Sequence, residues 1–133
     1  MQQLGIGDLM SKGLIYHVCK RENWLQSEVS GVYRGGTDDV VDGFLHFSTA
    51  SQIAESISLY WSGTTDLILI CVDADDLGTS LKWERSRDNQ FFPHLYDVLD
   101  MSVILSVQEL KLNEDGSHRL PDNLTSLEIN REP

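Results

Sequence analysis

Between Asp66 and Asp73 the chain reads Leu-Ile-Leu-Ile-Cys-Val, apolar at every position and closed by an acid at each end. A strand covered on one face alternates apolar and polar residues, so an unbroken run of this kind requires cover on both faces. The segment is therefore expected inside a sheet with packed layers above and below. A chain of 133 residues can supply them, since it should bury about two-thirds of its extended-chain surface without metal or disulfide staples.

The other elements alternate around this run. Leu14 to Cys19 is rich in strand formers. Arg21 to Ser30 carries Trp24, Leu25 and Val29 and stops at Gly31, which predicts a short helix with a glycine end. Gly35 to Asp39 reads as a turn or loop, and Gly43 to Ser48 as a second short strand. Thr49 with Gln52 three residues on is a capping-box pattern, with Ser48 as the alternative cap. Behind it Ile53, Ala54, Ile57, Tyr60 and Trp61 fall on one helical stripe. Leu81 to Glu84, Phe92 to Tyr96 and Met101 to Leu110 complete the strands. Strands with two helices in this order predict an α+β fold with a largely antiparallel or mixed sheet. Phe44, Ile57, Trp61, Leu69, Cys71 and Trp83 are expected in its core. Residues 1–13 read as an N-terminal extension, 14–110 as a single domain, and 111–133 as a polar, turn-rich C-terminal extension.

Charge and cysteine usage exclude several classes. With 10 Lys and Arg against 21 Asp and Glu, the net charge of −11 repels phosphate backbones and argues against a general nucleic-acid binder. No apolar run approaches a membrane span, and the start of the chain lacks the basic and apolar regions of a signal peptide. Cys19 and Cys71 sit inside apolar runs without metal-ligand spacing, as expected in a reducing cytoplasm, and a monomer is expected. Lys20, Arg21 and Arg34 lie close in sequence, as do Arg85 and Arg87. Lone basic pairs are usually solvated surface, and Arg34 alone is retained as a candidate ligand-binding cation.

Polar residues that interrupt apolar strands carry the chemical information, because burying a polar group without a partner costs a few kcal/mol. His17 lies in the first strand, His46 and Ser48 alternate in the second, Glu84 closes the Leu-Lys-Trp-Glu strand, and His94 and Tyr96 alternate in the next. A lone histidine in a strand is more often a hydrogen-bonded core residue than a catalyst. Ser48 alone is most simply a cap, and Tyr96 a core ring with a satisfied hydroxyl. Their concentration in separate apolar strands makes convergence on one cleft the economical explanation. Because Ser48 and Thr49 precede the helix near Ala50, an anion is expected at that helix N-terminus, beside the imidazoles.

The blocks Ile15-Tyr-His17, Trp24, Gly31-Val-Tyr33, Asp42-Gly-Phe-Leu-His-Phe-Ser-Thr49, Gln52, Leu81-Lys-Trp-Glu84 and Phe92-Pro-His-Leu-Tyr96 resemble an uncharacterised family, the domain of unknown function numbered nine hundred and fifty-two. The resemblance runs from about Leu14 to Leu110. It implies a fold like that of the ADP-ribosyltransferases, a split, bent β-core with short helices whose cleft in those enzymes holds NAD. It implies no established activity. Carried over by position, His17 would hold ribose or nearby groups, Phe47-Ser48-Thr49 would support the nicotinamide side, and Glu84 would bind a ribose hydroxyl. His46 and His94 have no clear counterparts.

Four functions remain open on these residues. The first is a transferase-like domain binding NAD or another nucleotide or ribose-phosphate ligand, with His17, His46, Glu84 and His94 as catalytic candidates and Ser48, Thr49, Tyr96 and Arg34 as ligand contacts. The second is a phosphoesterase using the His46-Phe47-Ser48 triplet, although His17-Val18-Cys19 and His94-Leu95-Tyr96 do not repeat it. The third is a metal site drawn from the three strand histidines and Glu84, without the local spacing that makes such sites recognisable. The fourth is a non-catalytic ligand-binding or interaction module.

Overall fold

In the computed structural model, which describes residues 13–122 and Leu124, the all-apolar run is the middle strand of a five-stranded sheet. The elements in chain order are β1 (Leu14–Lys20), α1 (Arg21–Ser30), β2 (Val32–Tyr33), α2 (Thr37–Asp42), β3 (Leu45–His46), β4 (Ser48–Thr49), α3 (Ala50–Tyr60), β5 (Leu67–Asp73), β6 (Leu81–Arg85), β7 (Phe91–Leu95), β8 (Leu99–Asp100), β9 (Ile104–Leu112) and β10 (His118–Arg119). The large sheet has the order β10-β9-β5-β1-β4; β3-β7-β6 and β2-β8 form two smaller sheets. Every strand pair among the described residues is antiparallel, so the protein is α+β with an antiparallel core and a few short helices.

Strand alternation sorts the buried side chains into two clusters, one on each face of the large sheet. Ile15 and Cys19 of β1 join Ile68, Ile70 and Val72 of β5 on one face, packed against Trp24, Tyr33, Leu45, Phe47, Leu95 and Leu99. Leu14, Tyr16 and Val18 join Leu67, Leu69 and Cys71 on the other, packed against Ile53 and Ile57 of α3. This is the double cover that the apolar run requires. It also separates the two cysteines, which are buried on opposite faces and not joined in a disulfide.

Local sequence accounts for the helix ends. Gly31 closes α1 with φ 90° and donates its N–H to Ser27 O. At α3 Thr49 and Gln52 stand as the expected capping pair: Gln52 Oε1 accepts the Thr49 N–H at 3.0 Å, and the Thr49 hydroxyl lies 3.1 Å from that of Ser51. The Gln52 amide also donates to Phe91 O at 2.9 Å, tying α3 to β7.

The structure corrects the sequence-based expectations at several points. The loop expected over Gly35–Asp39 instead runs into α2, which opens with acids in its first turn and ends at Gly43 with φ 86°. Six residues are too few for a helical period to show in the sequence. Gly43 to Ser48 is not one strand: β3 pairs with β7 and β4 with β1, so the chain changes sheet at Phe47. Of the expected core, Leu69, Cys71 and Ile57 are buried, but Phe44, Trp61 and Trp83 are only half-buried, the two tryptophans at cluster rims. Trp83 lies on β6, an edge strand with one partner, which leaves part of its ring uncovered. Pairing also extends past Leu110, since β9 reaches Leu112 and β10 pairs back onto it. Of the extensions expected over 1–13 and 111–133, residues 1–12, 123 and 125–133 lie outside the described residues.

Candidate functional site

β4 is short, and its pairing with β1 covers only Ile15 and Tyr16. From His17 to Lys20 the outer edge of β1 therefore has no strand partner among the described residues. A cavity of about 640 Å³ lies along this open edge. Its walls are β1 from Tyr16 to Lys20, α2 with Gly36, the stretch from His46 to Ser48, the Ile53–Ser56–Tyr60 face of α3, Arg87, Phe92 and His94. Three of the four histidines and Ser48 thus meet around one space, as their concentration in the sequence predicts. Thr49, Glu84, Tyr96 and Arg34 are not among the lining residues, and Arg34 is exposed.

His17 is almost fully buried and both of its ring nitrogens are committed. Nδ1–H donates to the carbonyl of His46 at 2.6 Å, and Tyr33 O–H donates to Nε2 at 2.7 Å. A carbonyl can only accept, which fixes the tautomer. Burial is the dominant influence on this imidazole and holds its pKa below the ordinary value, so the ring is neutral near pH 7. Tyr33 in turn contacts Cys19, whose thiol is pushed up to about 12, chiefly by burial. Cys19 is therefore a packed thiol rather than a nucleophile.

Asp39, which the sequence reading placed in a loop, organises the cavity wall. Its carboxylate accepts from Gly36 N–H at 2.7 Å, from His46 N–H at 3.0 Å and from His46 Nδ1–H at 2.6 Å. The other His46 nitrogen donates to Asp42 at 2.8 Å. Two carboxylates facing both nitrogens of one ring require imidazolium. Burial opposes that charge, but the hydrogen bonds and charges of Asp39 and then Asp42 outweigh it and raise the His46 pKa. Burial likewise opposes the Asp39 charge, and His46 heads the contacts that overcome it and depress its pKa. The approach of His17 Nε2 to Asp39 at 3.7 Å is too long for a hydrogen bond, and His17 is neutral, so His46 balances the Asp39 charge. The signal that the sequence did carry was an acid at the third position of a helix beginning Thr-Asp-Asp after Gly-Gly.

His94 is the histidine with chemistry to spare. Its Nδ1–H donates to Glu84 at 2.8 Å, Tyr96 O–H donates to the same oxygen at 2.7 Å, and Phe44 stacks on the ring at 4.2 Å. The hydrogen bond from Tyr96, then that from His94, holds the Glu84 pKa below the ordinary range. Nε2 has no protein partner among the described residues. Glu84 thus stands behind the imidazole and orients it, outside the cavity.

Ser48 is not the helix cap. Its hydroxyl lies 3.0 Å from that of Ser56, which accepts from Arg87 Nη2 at 3.1 Å. The cavity runs along the side of α3, and neither Thr49 nor Ala50 lines it, so the anion site expected at that helix N-terminus does not form part of it. Arg87, set aside above as surface, is the arginine that lines the cavity. Among the described residues no group of three or more His, Cys, Asp or Glu is placed to hold a metal ion. No helix in them is long and apolar enough to cross a membrane.

An antiparallel α+β core that leaves one edge of β1 open over a histidine-lined cavity defines the structural class. The family model described as "Protein of unknown function (DUF952)" matches residues 18–107, and the chain belongs to that family. It is similar to the crystal structure of protein CC0527 from Caulobacter crescentus, with 38% identity, a TM-score of 0.81, and coverage of 84% of this chain and 98% of that one. The solution NMR structure of CC0527 gives 37% identity and a TM-score of 0.74 over 83% of this chain and 95% of that one. No curated protein matches the chain.

Proposed function

We propose that the cavity is the ligand site of an ADP-ribosyltransferase-like domain, taking NAD or another nucleotide or ribose-phosphate, with His94 as the group that moves a proton. The carrying observation is the meeting of His17, His46, Ser48 and His94 around one space of about 640 Å³, a volume suited to a ligand of nucleotide size. Along the open edge of β1, alternate residues direct backbone N–H and C=O groups outward, which suits an amide or a base edge. Because Glu84 occupies Nδ1, the His94 ring turns Nε2 toward a ligand hydroxyl. Glu84 acts as a positioning residue here and does not bind ribose directly.

A second reading, a binding module without turnover, is favoured by the engagement of the other histidines. His17 and His46 have both ring nitrogens occupied by protein groups, so they shape and charge the wall rather than exchange protons. Calorimetry and thermal shift with NAD, ADP-ribose and AMP test the site itself. At least one should raise the melting temperature, with stabilisation growing as RT ln(1 + [L]/Kd), or about 2.7 kcal/mol at a hundred times Kd. If none does so at millimolar concentration, the nucleotide assignment is wrong. Chromatography of NAD incubated with wild type and His94→Gln then separates the two readings, since only a transferase-like site consumes NAD and loses that activity in the variant.

A further inference from the structure

We infer that Arg87, Ser56 and Ser48 form an anion subsite that takes a phosphate group of the ligand. This rests on the nucleotide reading of the cavity and fixes which end of the ligand lies where. Arg87 opens the tight turn between β6 and β7, in which Asp88 and Asn89 adopt φ of 56° and 62°. The turn is closed by Ser86 N–H to Gln90 O at 2.9 Å and Asn89 N–H to Ser86 O at 3.0 Å. From it the guanidinium packs 4.9 Å from the Phe92 ring centroid and 5.8 Å from that of Tyr60. The side chain is 16% exposed, and its anionic neighbour Glu55 is 56% exposed and 3.5 Å away. Nε is buried with no hydrogen-bond partner among the described residues. A covered cation with one long, solvent-screened ion pair and an orphaned N–H is costly unless something else neutralises it.

The hydroxyls beside it complete a donor set. Ser56 Oγ accepts from Arg87 Nη2, so the Ser56 proton is available to Ser48 Oγ at 3.0 Å. That order leaves the Ser48 O–H free to donate, on a residue that lines the cavity and is itself buried. A planar guanidinium with an adjacent hydroxyl suits a tetrahedral oxyanion. In a chain of net charge −11, general attraction cannot recruit such a group, so a local site is needed. The α2 wall carries Asp38, Asp39 and Asp42 and suits the hydroxyls of a sugar. A ribose-phosphate ligand would therefore lie with its phosphate toward Arg87 and its hydroxyls toward α2.

Titration calorimetry with matched pairs tests this: AMP against adenosine, and ribose 5-phosphate against ribose. In wild type the phosphorylated member should bind more tightly by roughly thirtyfold or more, the scale of charge-assisted hydrogen bonds to a guanidinium. Arg87→Gln should cut that ratio to below about threefold, and Ser56→Ala should reduce it partially. Ser56→Ala keeps the test decisive if loss of the guanidinium destabilises the turn. If AMP and adenosine bind wild type equally, or both variants keep the full ratio, the subsite is wrong although the cavity reading stands. If neither member of either pair binds, both fall together.

Discussion

Replacing Asp39 with Asn is the sharpest probe of the cavity wall, because it changes charge and one acceptor while keeping shape. Oδ2 accepts from Gly36 N–H, and Oδ1 accepts both His46 donors. An amide has one oxygen, and placing it at Oδ1 saves two of the three bonds. The amide nitrogen then opposes Gly36 N–H, a lost partner worth about 1–3 kcal/mol in a buried setting. The bond to the His46 imidazolium also loses its charge assistance, about another 1 kcal/mol. The expected cost is thus about 3 kcal/mol, or a fall of about 10 °C in melting temperature for a domain of this size. The sign of the pH dependence follows from the two shifts. His46 has a raised pKa, so its contribution is complete below 6.5 and is lost as pH rises through the folded value. Asp39 has a depressed pKa, so its contribution is present above 3.8 and is lost as pH falls through its folded value. The deficit of the variant should be largest near pH 6 and shrink toward pH 9. His17, held neutral by burial, stabilises with the opposite sign, above 6.5, and largely cancels when variant and wild type are compared at each pH. Urea unfolding followed by tryptophan fluorescence at pH 6 and pH 9 reads both quantities. A deficit below about 1 kcal/mol, or one that is the same at both pH values, would refute the clamp.

Three further outcomes follow from packing. Ile70→Ala, at a fully buried position of β5, should cost about 4 kcal/mol, whereas Trp83→Ala on the half-covered edge strand should cost nearer 2, and equal losses by denaturant titration would contradict the two-face core. Gly35→Ala places a methyl 2.6 Å from Asp39 Cβ and 2.7 Å from Leu45 Cδ2 at a φ of +100°, and should lower stability by about 3 kcal/mol; a neutral result in thermal melting would show that α2 shifts freely. Cys19 and Cys71 should resist a thiol reagent in the native protein and react fully in denaturant, and rapid native labelling would contradict their burial.

A period-2 or all-apolar pattern reflects a requirement for cover, and cover is what the sequence by itself determined here. The run Leu67 to Val72 specifies a strand with layers on both faces because no single-faced sheet tolerates six apolar residues in succession. Helix α1 with its glycine end and α3 with Gln52 at its third position are written in local capping chemistry, which acts within a few residues. The histidines were legible for a related reason: polar groups in apolar strands must find partners, so His17, His46 and His94 were bound to matter to the interior. What the pattern could not carry is anything that depends on contacts between distant residues. Asp39 and Arg87 sit in short polar segments with no periodicity, and their importance arises only when α2 is brought to His46 and the β6–β7 turn to Ser56. The division of labour among the histidines is also tertiary. Local sequence makes all three look alike, but burial keeps His17 neutral between a carbonyl and a tyrosine, two carboxylates charge His46, and Glu84 leaves the His94 Nε2 without a partner among the described residues. Each role follows from burial and from which partner stands at each ring nitrogen, and those partners lie from 4 to 29 residues away along the chain.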